Sequence, residues 1–138
     1  MANEMVKGCG FTHICLFVSN YETSHRFYCE GLGMKETAAW GQPGSRACML
    51  DLGDGNCIEM FEAKSSHEEH NPWEAGTWGH LALRTEDVQG AFDAAILAGA
   101  KEKTAPNKTA LSTVPPIPIE IAFVYGPDRE EIEFFKFL

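Results

Sequence analysis

A chain of 138 residues, 44% hydrophobic and 22% charged, suits one compact domain or two small halves sharing a core. Its formal net charge of −9 argues against nucleic acid and anionic membrane surfaces, which need a cationic footprint. No apolar run reaches the roughly 18 residues of a membrane span, and the N-terminus lacks a signal-peptide core, so the cytoplasm is the expected location. The cysteines, Cys9, Cys15, Cys29, Cys48 and Cys57, are odd in number and lack a C-x-x-C. That excludes a disulfide framework, and they read as small buried hydrophobes in a reducing compartment.

In chain order, Phe11 to Val18 is a nearly continuous apolar run of β-formers and predicts a strand. Ser19-Asn20-Tyr21-Glu22 reads as a capping box with Ser19 as the cap. The helix after it, spaced by Tyr21, Ser24, Phe27, Tyr28 and Leu32, is expected to stop at Gly31 and Gly33. His25 falls on its polar side, a solvated position. Strands follow at Met34–Trp40, Arg46–Leu52 and Cys57–Ala63, separated by the glycine-rich turns at 41–45 and 53–56. Residues 64–77 are polar and form a linker, which contains His67-Glu68-Glu69-His70 and Trp73. The order then restarts: a strand at Trp78–Arg84, a helix striped by Val88, Ala91, Phe92, Ala95 and Ile96, and strands at Ile119–Tyr125 and Glu131–Phe137. Pro115, Pro116 and Pro118 predict that strands between these are short or lie at an edge.

The pattern is β-α-β-β-β, twice. His13 recurs as His80 after 67 residues, Gly33 as Gly99 after 66, and Glu59 as Glu133 after 74. Such self-similarity marks an internal duplication. The expected architecture is one α+β domain over 1–138: two tandem βαβββ modules (11–63 and 78–138) forming a curved, half-open mixed sheet with helices outside.

Strand alternation places His13 with Phe11, Cys15 and Phe17, opposite Ile14, Leu16 and Val18. It places Glu59 opposite Ile58 and Met60, His80 opposite Leu81 and Leu83, and Glu133 opposite Ile132 and Phe134. A carboxylate in mid-strand among apolar residues is costly unless paired, protonated or bound to a cation. Arg84 and Lys136 are the nearest basic candidates by pattern. Two imidazoles and two carboxylates at duplicated positions point instead to a divalent metal, with Zn, Ni, Co, Fe and Mn all compatible.

Three phrases carry a family resemblance: Phe27-Tyr28-x-x-Gly31-Leu32-Gly33-Met34-Lys35, Gly79-His80-Leu81-Ala82-Leu83, and Ala122 to Glu133 with its Gly126-Pro127-Asp128-Arg129-Glu130 turn. They resemble the vicinal oxygen chelate superfamily of glyoxalases, epimerases, dioxygenases and bleomycin resistance proteins. The last phrase departs from the usual Asp-Pro-Asp-Gly-Asn turn. His13, Glu59, His80 and Glu133 are similar to the ligand set of bacterial-type glyoxalase I. The resemblance implies a metal-dependent lyase or isomerase that abstracts a proton beside a carbonyl and stabilises an enediolate on the metal, with Glu133 as the base and Glu59 as its symmetric alternative. It also implies a small-molecule substrate and a homodimer, with each site built within one chain or across two. Alternatives are a dioxygenase or epimerase of the superfamily, or a non-catalytic binder. Where the bacterial enzyme grips glutathione with Arg and Asn, this chain has Phe17 and Ala63, an apolar pair unsuited to a peptide carboxylate. Arg84, Phe17, Phe61 and Trp78 are the expected substrate contacts.

Overall fold

The computed structural model describes residues 5, 9–64, 75–76 and 78–138. In the first half β1 (His13–Val18) leads to α1 (Tyr21–Arg26), a π-helical turn (Phe27–Gly31), β2 (Lys35–Trp40), β3 (Ala47–Asp51) and β4 (Cys57–Glu62). The second half repeats the order with β5 (Leu81–Arg84), α2 (Val88–Leu97), β6 (Lys101–Leu111), β7 (Ile117–Tyr125) and β8 (Glu131–Phe137). Most of the linker, with His67, His70 and Trp73, lies outside the described residues.

The strands form two four-stranded sheets, ordered β1-β4-β3-β2 and β5-β8-β7-β6. In each, the first strand pairs in parallel with the last and the other pairs are antiparallel. This is the expected α+β architecture. Each module keeps its own ladder, and none joins the two sheets among the described residues. What joins the halves is apolar packing, with hydrogen bonds to the 126–130 turn. Leu50, Ile58 and Met60 of the first sheet belong to the same buried cluster as Val88, Phe92, Val124, Ile132 and Phe134 of the second half. The rows opposite Glu59 and Glu133 therefore face one common core, as alternation requires.

The helix starts follow local capping chemistry. Asn20, not Ser19, caps α1: its side-chain oxygen accepts from the Thr23 N–H at 2.9 Å. Ser19 sits one residue early and donates its backbone N–H to Asp128 at 3.0 Å. Asp87 caps α2 by accepting from the Gly90 N–H at 2.9 Å. Gly33 ends the first helical arm at φ +73, in the left-handed region where a side chain is disfavoured. Gly31 serves another purpose. A Cβ there would lie 2.3 Å from the Ala98 Cβ, so glycine allows the arm to touch the end of α2.

The proline argument understated the second sheet. β6 has 11 residues and β7 has 9. β6 carries Pro106 because it is an edge strand with register shifts between Glu102 and Thr104 and between Thr104 and Asn107; an edge or a bulge spares the missing N–H.

The unusual 126–130 turn also has a physical account. Glu130 folds back over it, accepting the Asp128 N–H at 2.8 Å and the Tyr28 hydroxyl from the first module. A Cβ on residue 126 would meet that carboxylate at 2.4 Å and so displace Glu130 from this position. Arg129 takes φ 68 in the position where the family pattern has glycine. Asp128 accepts from the Ser24 hydroxyl at 3.2 Å, so the turn latches one module onto the other.

Arg46 ties β3 to β4. It donates to both oxygens of Glu62, at 2.9 and 2.7 Å, and also to Glu22. The guanidinium pulls the Glu62 carboxyl down to about 2. A carboxyl lowered by folding adds stability above its unfolded value and loses it as pH falls through the folded one. Stability is therefore expected to decline as pH drops from about 4.5 towards 2. In urea titrations across that window, Glu62→Gln should be weaker at neutral pH but flatter in acid.

Candidate metal centre

β1 and β4 run in parallel with Cys15 opposite Glu59, so His13, two residues earlier on the same face, leans over the carboxylate. Its Nε2 lies 3.4 Å from Glu59 Oε2. In the second module His80 stands one residue before β5 and Glu133 sits in β8 opposite Ala82. Here Nε2 and Oε2 are 3.1 Å apart. Two donors about 2.0–2.2 Å from one ion, at angles of about 90–110°, are separated by about 3.0–3.5 Å. Each pair thus has the spacing of half a coordination sphere. The four residues fit a divalent cation by donor chemistry as well, since borderline imidazole and hard carboxylate suit Zn, Ni, Co, Fe and Mn alike.

Within one chain the pairs remain separate. Among the described residues, no three of the four place their donor atoms within 4.8 Å of one another. Each His–Glu pair meets within its own module, and the two pairs do not share one donor cluster.

Glu133 is the more buried carboxylate, and burial raises it above its ordinary value against the pull of His80. Neither basic candidate reaches it. Lys136 Nζ donates to the Glu86 carbonyl at 2.8 Å. Arg84 lies near the β3–β4 turn of the other module, where it adds to the Asn56 hydrogen bonds that lower Asp54.

Aromatic side chains continue the face of the first pair along β1 and β4. Phe17 stacks on Phe61 with centroids 5.7 Å apart, and Trp40 meets Phe61 edge-on at 5.9 Å. Phe17 is 54% exposed and Trp78 79%. In the second module Phe123 meets the His80 ring edge-on at 5.4 Å, and Lys103 reaches over Phe123. The sequence reading did not single out Phe123, although its position opposite Glu133 on β7 puts it on the ligand face. Cys15 likewise shares that face and is exposed, as is Cys9, so neither is the buried hydrophobe expected.

The family model described as "Glyoxalase/Bleomycin resistance protein/Dioxygenase superfamily" matches residues 10–134. The chain belongs to this superfamily. A protein of Synechocystis sp. (strain ATCC 27184 / PCC 6803 / Kazusa) described as "Probable lactoylglutathione lyase" is 27% identical over 126 residues, covering 90% of this chain and 92% of that one. Among solved structures, a glyoxalase family protein from Enterococcus faecalis superimposes with a TM-score of 0.75 at 20% identity, covering 95% of this chain and 100% of the other. An antibiotic binding protein from Streptomyces sp. CB03234 gives 0.66 at 18% identity, covering 94% and 96%. These likenesses establish the fold. No helix among the described residues is long and apolar enough to cross a membrane.

Proposed function

We propose that this superfamily member is a metal-dependent lyase or isomerase of the glyoxalase I type, working as a homodimer on a small oxygenated substrate. The observation that carries this reading is the pair of matched His–Glu contacts, at 3.4 and 3.1 Å, one per module. Neither pair is a full ligand set. Two copies placed so that His13 and Glu59 of one chain meet the partner's His80 and the partner's Glu133 would complete two equivalent centres, as twofold symmetry demands. A divalent ion held there supplies Lewis acidity towards adjacent substrate oxygens.

The chain's own residues supply the rest. Glu133, raised by burial, is the better-placed proton acceptor, because a base works best when its pKa approaches the working pH. His13 and His80 hold position, and Glu59 is the symmetric alternative base. Phe17, Phe61 and Trp78 shield the centre from water and pack the apolar part of the substrate. Arg84, at the end of β5, is the candidate for an anionic group on it. Phe17 and Ala63 favour a substrate other than a glutathione adduct.

Metal analysis and turnover test the proposal. Purified protein should take up one divalent ion per chain, and Glu133→Ala should lose it. Hemithioacetals of methylglyoxal with several thiols should be turned over, small thiols in preference to glutathione. A protein that binds no ion at these residues overturns the reading. The Phe17–Phe61–Trp40 cluster favours a second one, capture of a planar molecule without turnover. It predicts tight binding of an aromatic ligand by metal-free protein, unchanged in Glu133→Ala.

A further inference from the structure

A second cluster of metal-ligating side chains lies on the other face of the first sheet. Cys48, in β3, pairs with Met60 and belongs to the core row, whereas Glu59 points to the opposite face. Over Cys48 lie His25 from α1, Cys29 from the π-helical turn and Glu36 from β2. His25 Nε2 is 2.7 Å from Glu36 Oε2 and 3.6 Å from Cys29 Sγ. The donor atoms of His25, Glu36 and Cys48 all lie within 4.8 Å of one another. Donors around a tetrahedral zinc ion are about 3.3–3.8 Å apart; Cys29 stands outside the group of three, beside His25, and joins it as the fourth donor by a change of rotamer.

The surroundings resemble a built site. Tyr21 stacks on the His25 ring at 5.9 Å, which holds one of the four donors from outside. Arg46, paired with Glu22 and Glu62, lies over the Tyr21 ring at 4.5 Å and holds that ring in place. His25 and Glu36 are about one-third exposed and flank an open depression lined by Tyr21, Glu30 and Arg46, which gives an ion a way in. Burial pushes both thiols above their ordinary value, so a cation is what would make two thiolates tolerable there.

We propose that His25, Cys29, Glu36 and Cys48 form a second metal site, specific for zinc or a comparably soft divalent ion and separate from the His13/Glu59/His80/Glu133 set. Two thiolates, an imidazole and a carboxylate are a zinc-type donor set. On binding, four metal–donor bonds form and the two thiols release two protons to solvent, with no change of oxidation state. The ion fastens α1 and the π-helical turn to β2 and β3, so the site is structural.

Cobalt(II) titration of the reduced, metal-free, full-length protein tests this. A thiolate-to-cobalt charge-transfer band in the near ultraviolet should grow to one equivalent per chain and disappear on adding zinc. His25→Gln and Cys29→Ser, at partly exposed side chains, should each remove most of the band, whether or not Cys48→Ser folds. Cys15→Ser should not, although Cys15 lies beside Glu59. His13→Ala should leave the band intact, which separates this site from the proposed catalytic one. Absence of the band, its survival in both His25→Gln and Cys29→Ser, or its loss in Cys15→Ser overturns the proposal.

Discussion

Mixing two inactive variants is expected to restore activity. One chain carries His13→Ala and Glu59→Ala, the other His80→Ala and Glu133→Ala. Each alone lacks half of every ligand set and should fall by at least about a hundredfold. In a mixed dimer built as proposed, one centre combines the two damaged halves and the other combines the two intact halves. Random pairing makes half of the dimers mixed, so refolding the two chains together should recover about a quarter of wild-type turnover. A centre closed within one chain could not be rescued in this way, because each chain would carry its own defect. The arrangement of apolar surface supports the dimer. Phe17, on the candidate-ligand face of β1, is 54% exposed, and Phe11 and Trp78, in the segments just before β1 and β5, are 60% and 79% exposed. Burying one such ring is worth about 1.5–3 kcal/mol, and aromatic anchors of this kind commonly dominate an interface. Phe17→Ser should therefore weaken the dimer and lower activity together as protein is diluted, a coupling visible by sizing and assay on the same samples.

The two His–Glu pairs were legible in the sequence because strand alternation is local. A period of two puts His13 on the Phe17 face and Glu59 opposite Ile58 whatever the tertiary fold does, and duplication repeats the argument at His80 and Glu133. The distance between the pairs was not legible. It depends on how the aliphatic rows of the two sheets share a core, a packing between separate modules with no local signature. The second cluster was hidden for a similar reason. His25 and Cys29 are one turn apart, but Glu36 and Cys48 arrive on two different strands, so no short spacing announces them. His25, expected to be solvated, is instead held between Glu36 and Tyr21. Capping was misread by one residue because Ser19 and Asn20 are equally good caps in isolation. The choice fell to Asn20 because the Ser19 backbone is engaged by Asp128 from the other module.

Gly31→Ala is expected to be among the most destabilising of conservative changes in this chain. The residue ends the π-helical turn, and the Cβ it lacks would sit 2.3 Å from the Ala98 Cβ and 3.7 Å from the Ala98 Cα. Carbon atoms in contact prefer about 3.5–4.0 Å, so one of the two helical arms must move. Both arms are anchored in the common core, Phe27 and Tyr28 on one side and Ala95 on the other. Overpacking of this sort costs about 1–3 kcal/mol, which for a chain of this size lowers Tm by roughly 3–10 °C. The sequence offered a different role for this glycine, that of stopping the helix, and the two roles predict different genetics. If the loss is steric, Ala98→Gly opens the same space and should make the double variant more stable than Gly31→Ala alone, with a favourable coupling of about 1 kcal/mol in a double-mutant cycle. If the loss is conformational, Ala98→Gly adds its own small penalty and rescues nothing. The structure favours the steric account: Gly33, not Gly31, has the positive φ that ends the arm. Because Gly31 and Ala98 belong to different modules, the same cycle measures how firmly the two halves are held together.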